Sequence, residues 1–167
     1  TETGYVTRWE DFYFLPRVLE SLKKATDSGY RIVVISNQQC VGKGYIKAEE
    51  LDALTDNIKS SMKEAGVDVA GVYYCVHHKK EDCSCRKPKP GLFHAAQDDF
   101  EIKDVEGCFY IGDSARDIVA GKAAGMKTIL VLSGKSEPSQ VENWDDKPDY
   151  ICKDLADAVD IVLKEGE

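Results

Sequence analysis

Apolar residues recur along the chain in two alternating periods. Over 16–28, Val18, Leu22 and Ala25 fall on one face at helical spacing, with Pro16 at a tolerated first-turn position and Gly29 closing the segment. "YRIVVIS" (30–36) is a continuous β-branched run of the kind a strand buried on both faces carries. Residues 47–64 return to the helical period, with Leu51, Leu54, Ile58 and Met62 as the inner stripe. "GVYYCV" (71–76) reads as a second strand, 91–100 as a short helix, and "CFYIGD" (108–113) as a third strand before a helix over 114–124. "KTILVLSG" (127–134) gives a fourth strand, "PDYICKD" (148–154) a short edge strand, and 155–164 a last helix. Strands alternating with helices predict an α/β fold, a three-layer Rossmann-like parallel sheet covered on both faces. No repeat or low-complexity linker marks a boundary, so 1–167 reads as a single domain. In such sheets ligands bind beyond the carboxyl ends of the strands. Ser36-Asn37-Gln38, Cys75-Val76-His77 and Gly112-Asp113-Ser114 end three strands in polar sequence and are expected on one rim.

Charge and cysteine usage narrow the class. A net charge of -8 argues against nucleic acid or an anionic membrane as the main partner. No apolar run approaches a bilayer's thickness and no signal-peptide pattern opens the sequence, so a cytoplasmic monomer is expected. Of the six cysteines, three cluster with a histidine in "CVHHKKEDCSC" (75–85), whereas Cys40, Cys108 and Cys152 read as small apolar residues. That distribution suits a reducing compartment and a metal site.

Four motifs carry chemistry. Cys75, His77, Cys83 and Cys85 form C-x-H, a short gap and C-x-C, a soft set suited to a closed, structural tetrahedral zinc; a redox disulfide or an unrelated loop is the alternative. His77 keeps the C-x-H spacing and is preferred over His78. In "YIGDSARD" (110–117), Asp113 ends a strand and Asp117 follows one helical turn later, hard oxygen donors of the kind magnesium takes; a helix cap and a solvated acid are the alternative. In "VISNQ" (34–38), Ser36 offers a hydroxyl and rim amides to a phosphoryl oxygen, or makes ordinary turn chemistry. In "CRKPKPG" (85–91), Arg86 as a fork and Lys87 as a point charge suit a phosphate clamp, or a solvated basic loop.

In this order the four motifs resemble the haloacid dehalogenase-like phosphatases. The zinc loop narrows the resemblance to the branch holding heptose bisphosphate and histidinol phosphate phosphatases. "GYVTRWEDFYFLP", "NQQCVGKGYI" and "CRKPKPG" look most like the heptose bisphosphate enzymes. The resemblance implies that fold without a large cap domain but with a zinc-loop insert, and a phosphoric monoester hydrolase acting on a sugar phosphate. It implies catalytic magnesium and structural zinc. Ser36, Lys87 and Asp113 would be catalytic, with magnesium on Asp113 and Asp117 supporting that site or orienting Lys87. Glu2, Thr3, Gly4, Tyr5, Asn37, Gln38, Gln39, Arg86 and Ser114 would meet the substrate. Ser114 departs from the lysine often found after Gly-Asp in this family.

A larger departure concerns the nucleophile. The family carries it in an Asp-x-Asp motif on its first strand, and these 167 residues contain no such spacing. By alignment it falls upstream of Thr1, which makes an N-terminally incomplete form of a competent enzyme the expectation. A domain that binds a phosphorylated ligand without turnover is the alternative.

Overall fold

Backbone contacts group the chain into two units, Thr1–Cys83 and Ser84–Glu167. The structure, a computed structural model, describes residues 4–134 and 136–166.

The first unit contains α1 (Val18–Asp27), β1 (Ile32–Asn37), α2 (Gln39–Gly42), α3 (Ala48–Glu64) and β2 (Val69–Cys75). β1 and β2 are parallel, and the register that pairs Ile35 with Tyr73 brings Asn37 opposite Cys75. On α3 the stripe of Leu51, Leu54 and Met62 is buried together with Thr55, whose hydroxyl donates to the Leu51 carbonyl. Ile58 is only half-buried. All six positions of β1 are half-buried, although the β-branched run predicted a fully enclosed strand. Among the described residues β1 has a hydrogen-bonded neighbour on one edge only, which leaves the strand partly accessible.

The second unit contains α4 (Gly91–Asp99), β3 (Phe109–Gly112), α5 (Ala115–Ala123), β4 (Lys127–Val131), α6 (Pro138–Val141), β5 (Tyr150–Cys152) and α7 (Leu155–Glu165). Its three strands are parallel in the order β3-β4-β5. Consecutive side chains of a strand point to opposite faces. Ile129 and Leu130 are both fully buried, so β4 is covered on both faces. Leu130 packs with Ile118 of α5 and Val141 of α6, and half-buried Trp144 closes that cluster. Asp149 ties the chain before β5 to β4, accepting from the Thr128 amide and hydroxyl at 2.7 and 2.8 Å. Asp154 caps α7 by accepting from the Ala156 and Asp157 amides.

Every described strand is parallel and alternates with helix, as the periodicity predicts. The one sheet anticipated appears as two, one in each unit. Periodicity gave no sign of the 3-10 turn Trp9–Asp11, of α2 or of α6, each a turn or less, too short for the apolar pattern to repeat.

Candidate functional site

The loop after β2 gathers Cys75, His77, Cys83 and Cys85, whose ligand atoms all lie within 4.8 Å of one another. Cys75 Sγ lies 3.6 Å from Cys83 Sγ and 3.6 Å from His77 Nδ1. Sulfur ligands at the usual zinc distance on a tetrahedron stand about 3.7 Å apart, so the spacing fits a bound zinc. It is far beyond a disulfide bond, and none of the six cysteines is in a disulfide. His78 is outside the group; its Nδ1 accepts from the Lys80 amide instead.

The loop's base is pinned by backbone. The Gln38 amide donates to the Cys75 carbonyl and the Gly42 amide to the Val76 carbonyl. Gly42 has no room for a side chain, because a Cβ would stand 2.5 Å from the His78 nitrogen. On the far side, a Cβ on Gly91 would stand 2.5 Å from the Ser84 carbonyl oxygen, so α4 begins hard against the loop.

In the first unit, Ser36 ends β1 and its hydroxyl accepts from Gln38 Nε2 at 3.3 Å. Asn37 is half-buried, and Gln39 is buried in α2. Tyr5 packs on the cluster of Cys40, Ile46 and Leu51. Lys43 Nζ stands 5.2 and 5.7 Å from the rings of Tyr5 and Tyr45. Gly4 adopts a left-handed φ of 71°. Glu2 and Thr3 lie outside the described residues.

The second unit joins Lys87, Tyr110, Asp113, Ser114 and Asp117. Lys87 Nζ pairs with Asp117 Oδ1 at 2.7 Å, with the two side chains only 10% and 7% exposed. The same ammonium donates to the Tyr110 hydroxyl at 2.7 Å, and that hydroxyl donates to Asp117 Oδ1. Asp117 Oδ2 accepts from the Ser114 hydroxyl and the Asp113 amide. Burial opposes the charged carboxylate, but the Lys87 charge and these donors outweigh it and hold Asp117 below the usual carboxylate range. Burial, then the Asp117 charge, push the Tyr110 phenol well above its ordinary value, so it stays a neutral donor. Phe93 sets its edge on the Tyr110 ring, fixing the phenol's direction. Arg86 is half-buried and follows Cys85 of the cysteine–histidine cluster.

Asp113 stands at the end of β3 with its backbone held at both ends. Its amide donates to Asp117 and its carbonyl accepts from the Ser136 hydroxyl at 2.8 Å. Gly134 runs against its carboxylate, and Gly112 lies under the Asp117 side chain; a Cβ on either would overlap those groups. Gly112→Ala is therefore expected to displace Asp117 and cost about 1–3 kcal/mol, the usual range for overpacking. Urea unfolding checks this, and a variant as stable as the parent would show that the contact yields without cost.

Sequence reading proposed Lys87, Asp113, Ser114 and Asp117 from local motifs, and the second unit brings them together. It missed Tyr110, Gly134 and Ser136. A tyrosine in an otherwise apolar strand was the only signal for the first; the other two act through contacts over about twenty residues that no local pattern records.

A HAD-hydrolase-like family model matches residues 84–158. A D-glycero-beta-D-manno-heptose-1,7-bisphosphate 7-phosphatase of Pasteurella multocida (strain Pm70) is 35% identical over 161 residues, covering 92% of this chain and 85% of that protein. A D-glycero-alpha-D-manno-heptose-1,7-bisphosphate 7-phosphatase of Photorhabdus laumondii subsp. laumondii is 34% identical over 150 residues, covering 85% and 81%. The crystal structure of D,D-heptose 1,7-bisphosphate phosphatase from B. bronchiseptica, complexed with magnesium and phosphate, superimposes with a TM-score of 0.82 at 25% identity, covering 97% of this chain and 90% of that one.

Proposed function

Because this chain belongs to the haloacid dehalogenase-like phosphatases, in the branch of the heptose bisphosphate phosphatases, we propose that it is a magnesium-dependent phosphoric monoester hydrolase. Its substrate is a sugar phosphate, D-glycero-D-manno-heptose 1,7-bisphosphate, cleaved at position 7 by way of an aspartyl phosphate. The observation that carries the reading is the buried Lys87–Asp117 pair one strand-end away from Asp113.

Each residue's part follows from its surroundings. Lys87 cannot swing freely, because Asp117 and Tyr110 both hold its ammonium. A cation fixed in a dry site neutralises charge on a phosphoryl group more strongly than one in water. Asp117 accepts from four donors, Lys87, Tyr110, Ser114 and the Asp113 amide, so its part is to orient Lys87 rather than to bind a metal directly. Asp113 is the carboxylate suited to magnesium: a hard donor at a strand end, with its backbone pinned by Asp117 and Ser136. Magnesium, when bound, supplies Lewis-acid charge to the phosphoryl oxygens. Ser36 and its neighbouring amides, near the end of β1 in the first unit, are hydrogen-bonding groups of the kind that suit a phosphoryl oxygen. Cys75, His77, Cys83 and Cys85 would hold zinc, which would serve a structural role by fixing the loop that presents Arg86 and Lys87. The nucleophilic Asp-x-Asp of the family's reaction is not among these 167 residues, so the steps open to them are charge neutralisation and recognition.

The test compares phosphate release by the full-length protein from heptose 1,7-bisphosphate, histidinol phosphate and p-nitrophenyl phosphate, with and without magnesium. Heptose bisphosphate is expected to give the highest kcat/KM, and chelation to abolish turnover. Arg86→Ala should lose more on the sugar substrate than on the small ester, since a planar fork recognises an anionic substituent. Lys87→Ala should lose on all alike, because transition-state charge is present whatever the leaving group. A preference for histidinol phosphate would move the protein to the sister branch, and tight binding without turnover would make it a phospholigand sensor.

A further inference from the structure

We propose that the segment Ser36–Gly42 and the metal loop order as one unit, with Gly42 as the positioning residue that joins them. Metal binding at Cys75 and His77 fixes the turn that follows β1, and that turn in place holds the first two ligands. This deepens the structural role proposed for zinc and rests on it. It is independent of which phosphate ester the protein hydrolyses.

The two segments meet inside the first unit. Strand pairing sets Asn37 opposite Cys75, and backbone bonds carry the pairing past the strand ends. The Gln38 amide donates to the Cys75 carbonyl at 2.8 Å, and the Gly42 amide to the Val76 carbonyl at 2.9 Å. Cys75 is itself a ligand, and Val76 lies between the ligands Cys75 and His77. Side chains add to the join. Val41 of α2 and Val76 of the loop both pack on the cluster of Cys40, Ile46 and Leu51.

Gly42 is where the fit is tightest. A Cβ there would stand 2.5 Å from the His78 nitrogen, 2.6 Å from the Val76 carbonyl oxygen and 2.8 Å from the His77 carbonyl carbon. All three are backbone atoms on or beside ligand His77. Gly42 is not among the glycines with a left-handed φ, so contact, not conformation, excludes a side chain there.

Gln38 passes the order on to Ser36. Its backbone bonds Cys75, while its side chain spans two neighbours. Oε1 accepts from the Cys40 thiol at 3.8 Å, and Nε2 donates to the Ser36 hydroxyl at 3.3 Å. Cys40 is fully buried, which anchors that bridge. Loops held by a structural metal order when it binds. Linkage is reciprocal: whatever factor the metal adds to the order of the turn, disturbing the turn must remove from metal affinity.

Two measurements on the full-length protein test this, and neither needs turnover. Amide exchange is followed residue by residue, with zinc bound and after chelation. Chelation should quicken exchange at Gln38 and Gly42 by about tenfold or more, within the usual range of coupling between sites. The amides inside α3, which bond within their own helix, should be unchanged. Zinc affinity is measured by competition with a chromogenic chelator. Gly42→Ala keeps all four ligands and should bind zinc about tenfold more weakly or worse. Gly107→Ala is the control. That glycine, in the second unit, has a left-handed φ of 80° with open space around a Cβ, so the change strains the backbone away from the loop and should leave zinc affinity at the parent's. Exchange at Gln38 and Gly42 that ignores chelation would overturn the coupling. Parent-like affinity in Gly42→Ala, or an equal loss in Gly107→Ala, would overturn it too. If Gly42→Ala does not fold, exchange in the parent decides alone. A parent that binds no zinc would sink the zinc assignment and the coupling together, whereas a zinc-bound parent with an indifferent turn would sink the coupling only.

Discussion

Replacing Cys83 with alanine is expected to strip the protein of zinc and loosen the loop that carries Arg86 and Lys87. Four ligand atoms within 4.8 Å of one another are the number and spacing that a closed tetrahedral zinc site needs, and three remaining ligands would leave such a site open to water and much weaker. Structural zinc bound by such sets contributes on the order of 10 kcal/mol to the ordering of its loop. Backbone bonds pin its base and Lys87 anchors its far end, but Glu81, Asp82 and Ser84 between them are exposed. Elemental analysis of the parent should find one zinc per chain, and of Cys83→Ala almost none. Amide exchange should quicken first over 76–90, and Cys152→Ala, outside the cluster, should keep its zinc. Because thiolates and a neutral imidazole are the binding forms, zinc should be released as pH falls. Full zinc and unchanged stability in Cys83→Ala would refute the assignment.

The second large effect centres on the Lys87–Asp117 pair. Asp117→Asn leaves the Lys87 ammonium buried without its counter-charge, which costs about 3–5 kcal/mol in comparable pairs. It should also cut turnover by about 10²–10³, the usual loss when a fixed charge-stabilising group is disturbed. The double variant Lys87→Met/Asp117→Leu replaces both charges by apolar groups and should recover most of the stability while remaining inactive. That divergence separates a functional pair from a merely structural one. The pH dependence has a definite sign. Asp117 is held below the usual carboxylate range in the folded protein, so its contribution is complete above that range and is lost as pH falls through the lowered folded value. Asp117→Asn should lack this acid-side decline. An Asp117→Asn protein as stable as the parent would end the argument.

The cysteine–histidine loop and the lysine show why some of the site is legible in sequence and some is not. Cys75, His77, Cys83 and Cys85 lie within eleven residues, so their spacing nearly sets their separation in space. Asp113 and Asp117 are one helical turn apart, and the strand–helix junction between them follows from "YIGD". Lys87 stands thirty residues from Asp117 in the chain; the resemblance implied that Asp117 orients it or supports the metal site, but nothing local to either residue announces the pair. Tyr110 is harder still. In sequence it is one more large residue of a strand, and its role appears only when the hydroxyl is found between the two charges.

Among the elements the same division holds. Helix α3 was legible because its seventeen residues repeat the apolar stripe over several turns. Strand β4 was legible because burial on both faces demands an apolar run, here Ile129–Val131 after Lys127 and Thr128. The sequence by itself determined the alternation of strand and helix, the parallel pairing it requires, the clustering of Cys75, His77, Cys83 and Cys85, and the place of the acids at the end of β3. Each depends on interactions within one element or one turn, whose geometry is set by backbone period. Only the tertiary structure decided that β1 would be half-buried, that Tyr110 would join Lys87 and Asp117, and that Gly112 and Gly134 must lack side chains. Those outcomes depend on which distant surfaces meet and how closely, a property of packing that residue type and local spacing do not encode.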